Sequence, residues 1–113
     1  MASKYRNKKT FVDGVEFDSK REALRYGDLK LLEKAKKISG LILQPSFLLM
    51  EGFTDCQGVR HRPVRYIADF MYQDCEDFGL WTVEDVKGVR TPVYKLKLKM
   101  FRHKYPKYKF FEV

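Results

Sequence analysis

The sequence predicts a mixed α+β domain in which one central sheet is flanked by two helices and preceded by a short β-hairpin. Three observations support this fold class. An Asp-Gly pair joins two short β-type runs near the start of the chain. Two later segments carry apolar residues at helical spacing after good N-capping residues, and the runs between and after them are rich in β-branched and aromatic residues. This interleaving of strands and helices is typical of one sheet covered by helices.

The first element is a hairpin over residues 10–17, T-F-V-D-G-V-E-F. Asp13 and Gly14 form its turn, because a two-residue hairpin turn needs positive φ angles that Asp and Gly tolerate. Residues 1–9 before it are predicted to be a basic N-terminal arm. Residues 10–113 are predicted to be a single domain, in keeping with the length of the chain.

The first helix begins after the hairpin. Residues 19–22 read S-K-R-E, a capping box in which serine and glutamate satisfy free amides of the first turn. The pattern predicts a helix to about Lys37 that ends at Ser39-Gly40. Its core stripe is predicted to include Leu24 and Leu31.

Three strands are predicted next, over residues 41–50, 64–72 and 80–87. Pro45 interrupts the first of them, because proline lacks the N–H that a ladder requires. The second and third are joined by a tight turn at residues 74–79 and are therefore expected to be antiparallel neighbours.

Residues 93–105 fit two patterns. K-L-K-L-K-M alternates as a strand does, whereas Tyr94, Leu98, Phe101 and Tyr105 recur at helical spacing. Thr91-Pro92 is a good N-cap and first-turn pair, so we interpret the segment as a helix that Pro106 ends. A closing strand is predicted over residues 107–113.

The composition points to a nucleic-acid partner. The formal net charge is +8 and the isoelectric point is near 9.5, which favours a polyanion. Membrane insertion is not expected, because no apolar run approaches about 18 residues. Cys56 and Cys75 form no C-x-x-C pair and indicate reduced thiols in a cytoplasmic protein. Two basic groups are candidate phosphate contacts, although either could be only a solvated face: Arg60, Arg62 and Arg65 in a loop, and Lys95, Lys99 and Arg102 on the second helix. The basic N-terminal arm is a third candidate.

Two strands carry acids that need an explanation. Asp69 interrupts the apolar run I-A-D-F, and the next strand ends in E-D-V-K-G. Strand alternation puts Asp85 and Lys87 on one face and Glu84 on the other. Asp69 and Asp85 can be neighbours across the hairpin, where two carboxylates about 5 Å apart repel by roughly 3 kcal/mol at an effective dielectric near 20. A bridging Mg²⁺ would reverse that sign; a structural ion pair with Lys87 or an arginine is the alternative.

Together, I-A-D-F and E-D-V-K-G between two helices resemble the metal-binding strands of the PD-(D/E)xK nuclease superfamily. The chain is most similar there to a family of short phage and prophage proteins known as a domain of unknown function and related to Holliday-junction resolvases. The resemblance implies a restriction-endonuclease-like fold. It implies that Asp69 and Asp85 are catalytic metal ligands, that Lys87 is the catalytic lysine and that Glu22 is a further catalytic acid and ligand.

Two residues depart from the family pattern. Ala68 stands where the family name has proline, and Asp85 replaces the more frequent glutamate, which leaves open whether Glu84 takes part. The capping box also explains Glu22 without any chemistry.

The function that the resemblance implies is a metal-dependent DNA endonuclease that hydrolyses phosphodiester bonds, preferentially in branched DNA such as a four-way junction. It would use Mg²⁺, with Mn²⁺ as a substitute, in the cytoplasm of a bacterial host and from a phage or prophage gene. A homodimer is a further expectation, because a four-way junction is cut on two strands related by symmetry. The rival interpretation is a non-catalytic basic nucleic-acid-binding module or an inactive nuclease relative.

Overall fold

The computed structural model describes residues 9–113, and its first element is the predicted hairpin. Strands β1 (Thr10–Val12) and β2 (Val15–Phe17) pair antiparallel. The turn residues Asp13 and Gly14 have φ angles of 52° and 76°, the left-handed values that a two-residue hairpin turn requires. The hairpin prediction is therefore confirmed. The predicted basic arm, apart from its last residue, lies outside the described residues.

Helix α1 (Lys20–Lys34) begins as predicted and ends earlier. The Oγ of Ser19 accepts a 3.1 Å hydrogen bond from the N–H of Glu22, which caps the first turn. The helix stops before Ser39-Gly40, because Lys36 adopts a left-handed φ of 60° and the Lys37 N–H turns back to the carbonyl of Leu32.

The predicted core stripe of α1 is wrong. Leu24 and Leu31 are 62% and 68% exposed. The buried side chains are those of Ala23, Tyr26 and Leu29. The Tyr26 ring packs on Phe17 of the hairpin, with 5.0 Å between ring centroids, so a tertiary contact selects which face of the helix is buried.

The remaining elements follow in chain order: β3 (Ile38–Leu43), β4 (Ser46–Met50), β5 (Phe53–Thr54), β6 (Arg60–His61), β7 (Val64–Ile67), β8 (Phe70–Asp74), β9 (Leu80–Asp85), α2 (Pro92–Lys104) and β10 (Lys109–Glu112). The main sheet has the order β10-β9-β8-β3. Strands β8 and β9 are antiparallel, as predicted, and β10 is parallel to β9. This mixed sheet with two helices and an N-terminal hairpin confirms the predicted fold class.

Residues 64–72 form two strands and not the single strand predicted. Strand β7 ends before Ala68 and β8 begins after Asp69. The break lies beside the predicted break at Pro45. The carbonyl of Pro45 accepts a hydrogen bond from the N–H of Ala68, and the N–H of Gln44 donates one to the carbonyl of Asp69. The two paired strands thus bend together, and β4 pairs with β7 as a separate ribbon. The bend takes Asp69 out of the alternating strand pattern.

The main sheet separates two apolar cores. One contains side chains of α2 and of the β4–β7 ribbon, and the other contains those of α1 and the first hairpin. Alternation along β9 places Val83 in the α2 core, whereas Val86 lies in the α1 core. The helix interpretation of residues 93–105 is confirmed, with Thr91 as N-cap and Tyr94 and Phe101 buried. Within residues 9–113, neither helix is long and apolar enough to cross a membrane.

Candidate active site

Asp69 lies at the bend between β7 and β8, next to the end of β9. Its N–H donates to the carbonyl of Glu84 at 3.1 Å. Its Oδ2 accepts a hydrogen bond of 2.6 Å from the N–H of Val86. Because β8 and β9 are antiparallel, the beginning of one and the end of the other meet at the same edge of the sheet. Both the backbone and the side chain of Asp69 are thus hydrogen-bonded to residues on either side of Asp85.

Asp85 is a buried carboxylate, only 1% exposed. The hydroxyl of Tyr66 donates a short hydrogen bond to its Oδ2. Lys87 Nζ forms an ion pair with its Oδ1 at 3.1 Å. Within the described residues, this Oδ1 therefore has an ion-pair partner and accepts no hydrogen bond. A buried oxygen of this kind is costly unless another group satisfies it.

The surroundings of Asp69 favour its protonated form. Burial raises the pKa of Asp69 well above its usual range, and the adjacent Asp85 raises it further. The hydrogen bond from the Val86 N–H opposes both effects without cancelling them. Burial and the contact with Asp85 also raise the pKa of the Tyr66 hydroxyl, which therefore stays protonated and donates. Asp69 and Asp85 are brought together at the cost of electrostatic strain between two acids.

Lys87 is held beside this pair. Its ammonium lies 4.6 Å from the centroid of the Tyr94 ring in a cation–π contact, and its side chain is 28% exposed. The backbone at Lys87 is also tied to α1, because Arg21 Nη1 donates to the Lys87 carbonyl at 3.4 Å. The predicted grouping of Asp69, Asp85 and Lys87 is present in the structure.

Glu22 lies at the border of the site. With Asp69 it lines a cavity of about 250 Å³ at the N-terminal end of α1. Burial is the main cause that raises the pKa of Glu22, followed by the nearby Asp18, and Asp85 adds a smaller effect. Within residues 9–113, no three His, Cys, Asp or Glu side chains are close enough together to form a metal site. Glu22 therefore shares a cavity with Asp69 and, within the described residues, forms no three-residue ligand set with the acid pair.

The donor set fits a hard divalent cation. Carboxylate oxygens are the ligands that Mg²⁺ takes, often only one or two of them, with water completing the shell. Asp85 Oδ1 is buried without a hydrogen bond and Asp69 has a raised pKa. A cation bound by the two carboxylates would give Asp85 Oδ1 a further partner. It would also favour the ionised form of Asp69.

Comparison with known proteins gives one family. Residues 2–112 match the family model described as "Protein of unknown function (DUF1064)". The chain belongs to the DUF1064 family. No curated protein and no solved structure gives a significant match. The acid pair and Lys87 of this DUF1064 chain lie inside the matched region.

Glu84 of the DUF1064 chain has a different role from its neighbour Asp85. It points to the other face of β9, as alternation predicted, and is 1% exposed. Arg25 binds both of its carboxylate oxygens at 2.6 Å, and Tyr72 donates a short hydrogen bond to Oε2. Glu84 is thus already satisfied, and its partners stabilise β9 directly behind the acid pair.

Sequence reasoning missed several partners of these acids. Arg25 is 59 residues from Glu84 in the chain and Tyr66 is 19 from Asp85, so no local spacing connects them. The one available signal was the charge of Arg25, one helical turn after Glu22 and between apolar neighbours.

The two predicted basic groups are exposed but lie apart. On β7, Tyr66 points into the core below α2, so its neighbour Arg65 points to the opposite face of the ribbon. Arg60 and Arg62 lie beyond it, on and after β6. Lys95, Lys99 and Arg102 lie on α2 itself. The structure therefore places Arg65 of this DUF1064 chain on the side of the β4–β7 ribbon opposite α2 and its basic residues.

Proposed function

We propose that the chain is a metal-dependent DNA endonuclease of the PD-(D/E)xK superfamily. The observation that supports it best is the position of Asp69 and Asp85, side by side at one edge of the sheet with Lys87 in contact with Asp85. The three follow one another in the order of the superfamily motif. An ordinary sheet has no need of a half-buried acid beside the fully buried Asp85, because desolvating carboxylates costs free energy.

Each residue of the site has a distinct role in the proposal. Asp69 and Asp85 would hold Mg²⁺ or Mn²⁺, which lowers the pKa of a bound water and neutralises charge on the phosphodiester. Tyr66 and the Val86 N–H keep the two carboxylates in place. Lys87 supplies a positive charge beside Asp85 for the charge that develops on the phosphate oxygens.

Glu22 would be the further acid of the site. It lines the same cavity as Asp69, and its half-buried carboxylate with a raised pKa is suited to orient water on that side.

The proposed substrate is DNA, and branched DNA in particular. The net charge of +8 favours a phosphate backbone. Basic surfaces on two sides of the ribbon would suit DNA whose arms diverge better than a single straight duplex. A symmetric homodimer belongs to the same proposal, since two sites would match the two-fold axis of a junction. The exposed Phe11 of the first hairpin, 68% accessible, is one apolar residue that such a contact would cover.

The rival candidate is a basic nucleic-acid-binding module without activity. The experiment that separates the two is a cleavage assay on duplex, single-stranded, flap and four-way DNA, each with Mg²⁺, with Mn²⁺ and with chelator. A nuclease cleaves at least one substrate, and only with metal. A binding module leaves all of them intact and binds equally well with chelator.

A further inference from the structure

Helix α2 has three faces and not the two of an ordinary surface helix. Its core face carries Tyr94, Leu98, Phe101 and Tyr105, within an arc of about 60° at 100° per residue. The candidate DNA-contacting residues Lys95, Lys99 and Arg102 occupy a second arc of similar width. Val93, Leu96 and Met100 occupy a third arc, where Met100 also packs against the edge of the core. An apolar stripe at i, i+3 and i+7 is typical of a helix face that packs against a partner.

Two residues of the third face are open in the described chain. Val93 and Leu96 are 63% and 60% exposed. Leu96 and Met100 form one wall of a groove of about 630 Å³ whose floor includes the buried Leu49 of β4. This volume lies within the range of sites that hold side chains of a ligand or partner.

The rim of the groove is positively charged. Lys99, His103 and Lys104 surround the apolar floor. Helix α2 contains no acidic residue. A second copy of the same chain would oppose like charges across this face, which is unfavourable. A DNA backbone would be attracted by the rim but would gain nothing from the floor of Leu49, Leu96 and Met100.

We propose that the groove between α2 and β4 binds a segment of another protein that carries acidic residues around an apolar stripe. Apolar side chains of the segment enter the groove, and its carboxylates face Lys99, His103 and Lys104. Recognition of amphipathic segments by an apolar groove with a charged rim is a recurring mode of binding. This inference does not require the proposed nuclease activity, although Lys99 belongs both to the rim of the groove and to the candidate DNA-contacting residues.

The test uses labelled synthetic helical peptides and the full-length chain. One peptide has leucines at i, i+3 and i+7 with glutamates elsewhere, and a second has lysines in place of the glutamates. Binding is measured by fluorescence anisotropy. The matched control is Leu24→Ser on α1, since Leu24 is 62% exposed and far from the groove. Leu96→Ser and Lys104→Glu are expected to weaken binding of the acidic peptide about tenfold or more, whereas Leu24→Ser leaves it unchanged.

Several outcomes would overturn the proposal. Equal binding of the acidic and basic peptides would show that charge complementarity does not determine binding. An unchanged affinity in Leu96→Ser would show that the peptide does not bind in the groove. A dimer that Leu96→Ser converts to monomer in sedimentation would assign the face to a second copy. A parallel loss of DNA affinity in Leu96→Ser would assign it to nucleic acid. Circular dichroism of each variant confirms that it is folded.

Discussion

Asp69 is joined to the strand of Asp85 by a hydrogen bond of 2.6 Å, which its Oδ2 accepts from the N–H directly after Asp85. The bond holds two carboxylates together although burial and mutual repulsion disfavour both being ionised. Such an arrangement is destabilising in the free protein. It is useful where a cation or a proton is to be bound, so stability and activity are expected to respond in opposite directions to its removal.

The first prediction is that Asp69→Asn stabilises the metal-free protein at high pH. The pKa of Asp69 is raised in the folded state, so the folded state binds this proton more tightly than the unfolded state does. The stabilising contribution is complete below the ordinary aspartate pKa and is lost as pH rises through the raised value. Removing the acid should therefore add on the order of 1 kcal/mol above that value and flatten the pH dependence.

Thermal unfolding in chelator between pH 4 and pH 9 measures this effect. Asp28→Asn, an exposed acid of α1, is the matched control and should retain the wild-type slope. If stability depends on pH in Asp69→Asn as it does in the wild type, the Asp69 carboxyl does not destabilise the fold when it is ionised.

The second prediction separates the two roles of the α1 N-terminus. Ser19→Ala removes the side-chain acceptor of the Glu22 N–H and should cost about 1 kcal/mol of stability without affecting cleavage. Glu22→Gln should slow cleavage and leave the stability unchanged, because it keeps the helix and removes the negative charge that borders the cavity next to Asp69. Urea unfolding and cleavage rates are compared for both variants. Wild-type cleavage by Glu22→Gln would leave Glu22 as a capping residue only.

The third prediction concerns the support behind the site. Arg25→Met leaves the buried Glu84 without its bidentate partner and should destabilise the fold by about 3 kcal/mol. The double variant Arg25→Met with Glu84→Met should recover most of that loss, because it leaves no buried charge unpaired. The unfolding free energy in urea reports both. If the single variant is as stable as the wild type, the ion pair does not stabilise β9.

Much of the fold could be predicted from local patterns, and the exceptions have physical causes. The Asp13-Gly14 turn, the Ser19 cap and the Thr91-Pro92 start act within a few residues and appear as expected. The buried face of α1 was mispredicted, because two apolar stripes compete on that helix and the ring contact between Tyr26 and Phe17 decides between them.

The site was also predictable only in part, because local patterns could be recognised in the sequence and contacts between distant residues could not. Alternation along β9 separates Glu84 from Asp85 correctly, since it is a property of any extended strand. The bend at Asp69 was not predicted, because it depends on the pairing of residues 68 and 69 with Gln44 and Pro45. The partners of the acids come from distant parts of the chain, where sequence spacing carries no information.

The fourth prediction tests which basic surface contacts DNA. Affinity in chelator should fall with salt, with a log–log slope of about −0.9 for each phosphate neutralised on a duplex. Replacing Lys95, Lys99 and Arg102 together by alanine should make the slope less steep. If each residue contacts one phosphate, the change is roughly three times the contribution of one phosphate. The matched variant replaces Arg60, Arg62 and Arg65. Should only this second variant flatten the slope, the DNA lies on the other face of the β4–β7 ribbon.

Single-turnover cleavage with Asp85→Asn tests whether the acid pair and Lys87 cleave DNA with a divalent metal, as proposed. The substrate is whichever DNA the wild type cleaves with Mg²⁺, and binding is measured alongside in chelator. We expect a cleavage rate at least about a hundredfold lower than that of the wild type with DNA affinity unchanged, and the same result for Lys87→Ala. Asp28→Asn should cleave at the wild-type rate. A wild-type rate in Asp85→Asn, or no cleavage of any DNA by the wild type with Mg²⁺ or Mn²⁺, would show that this site is not a metal-dependent nuclease site.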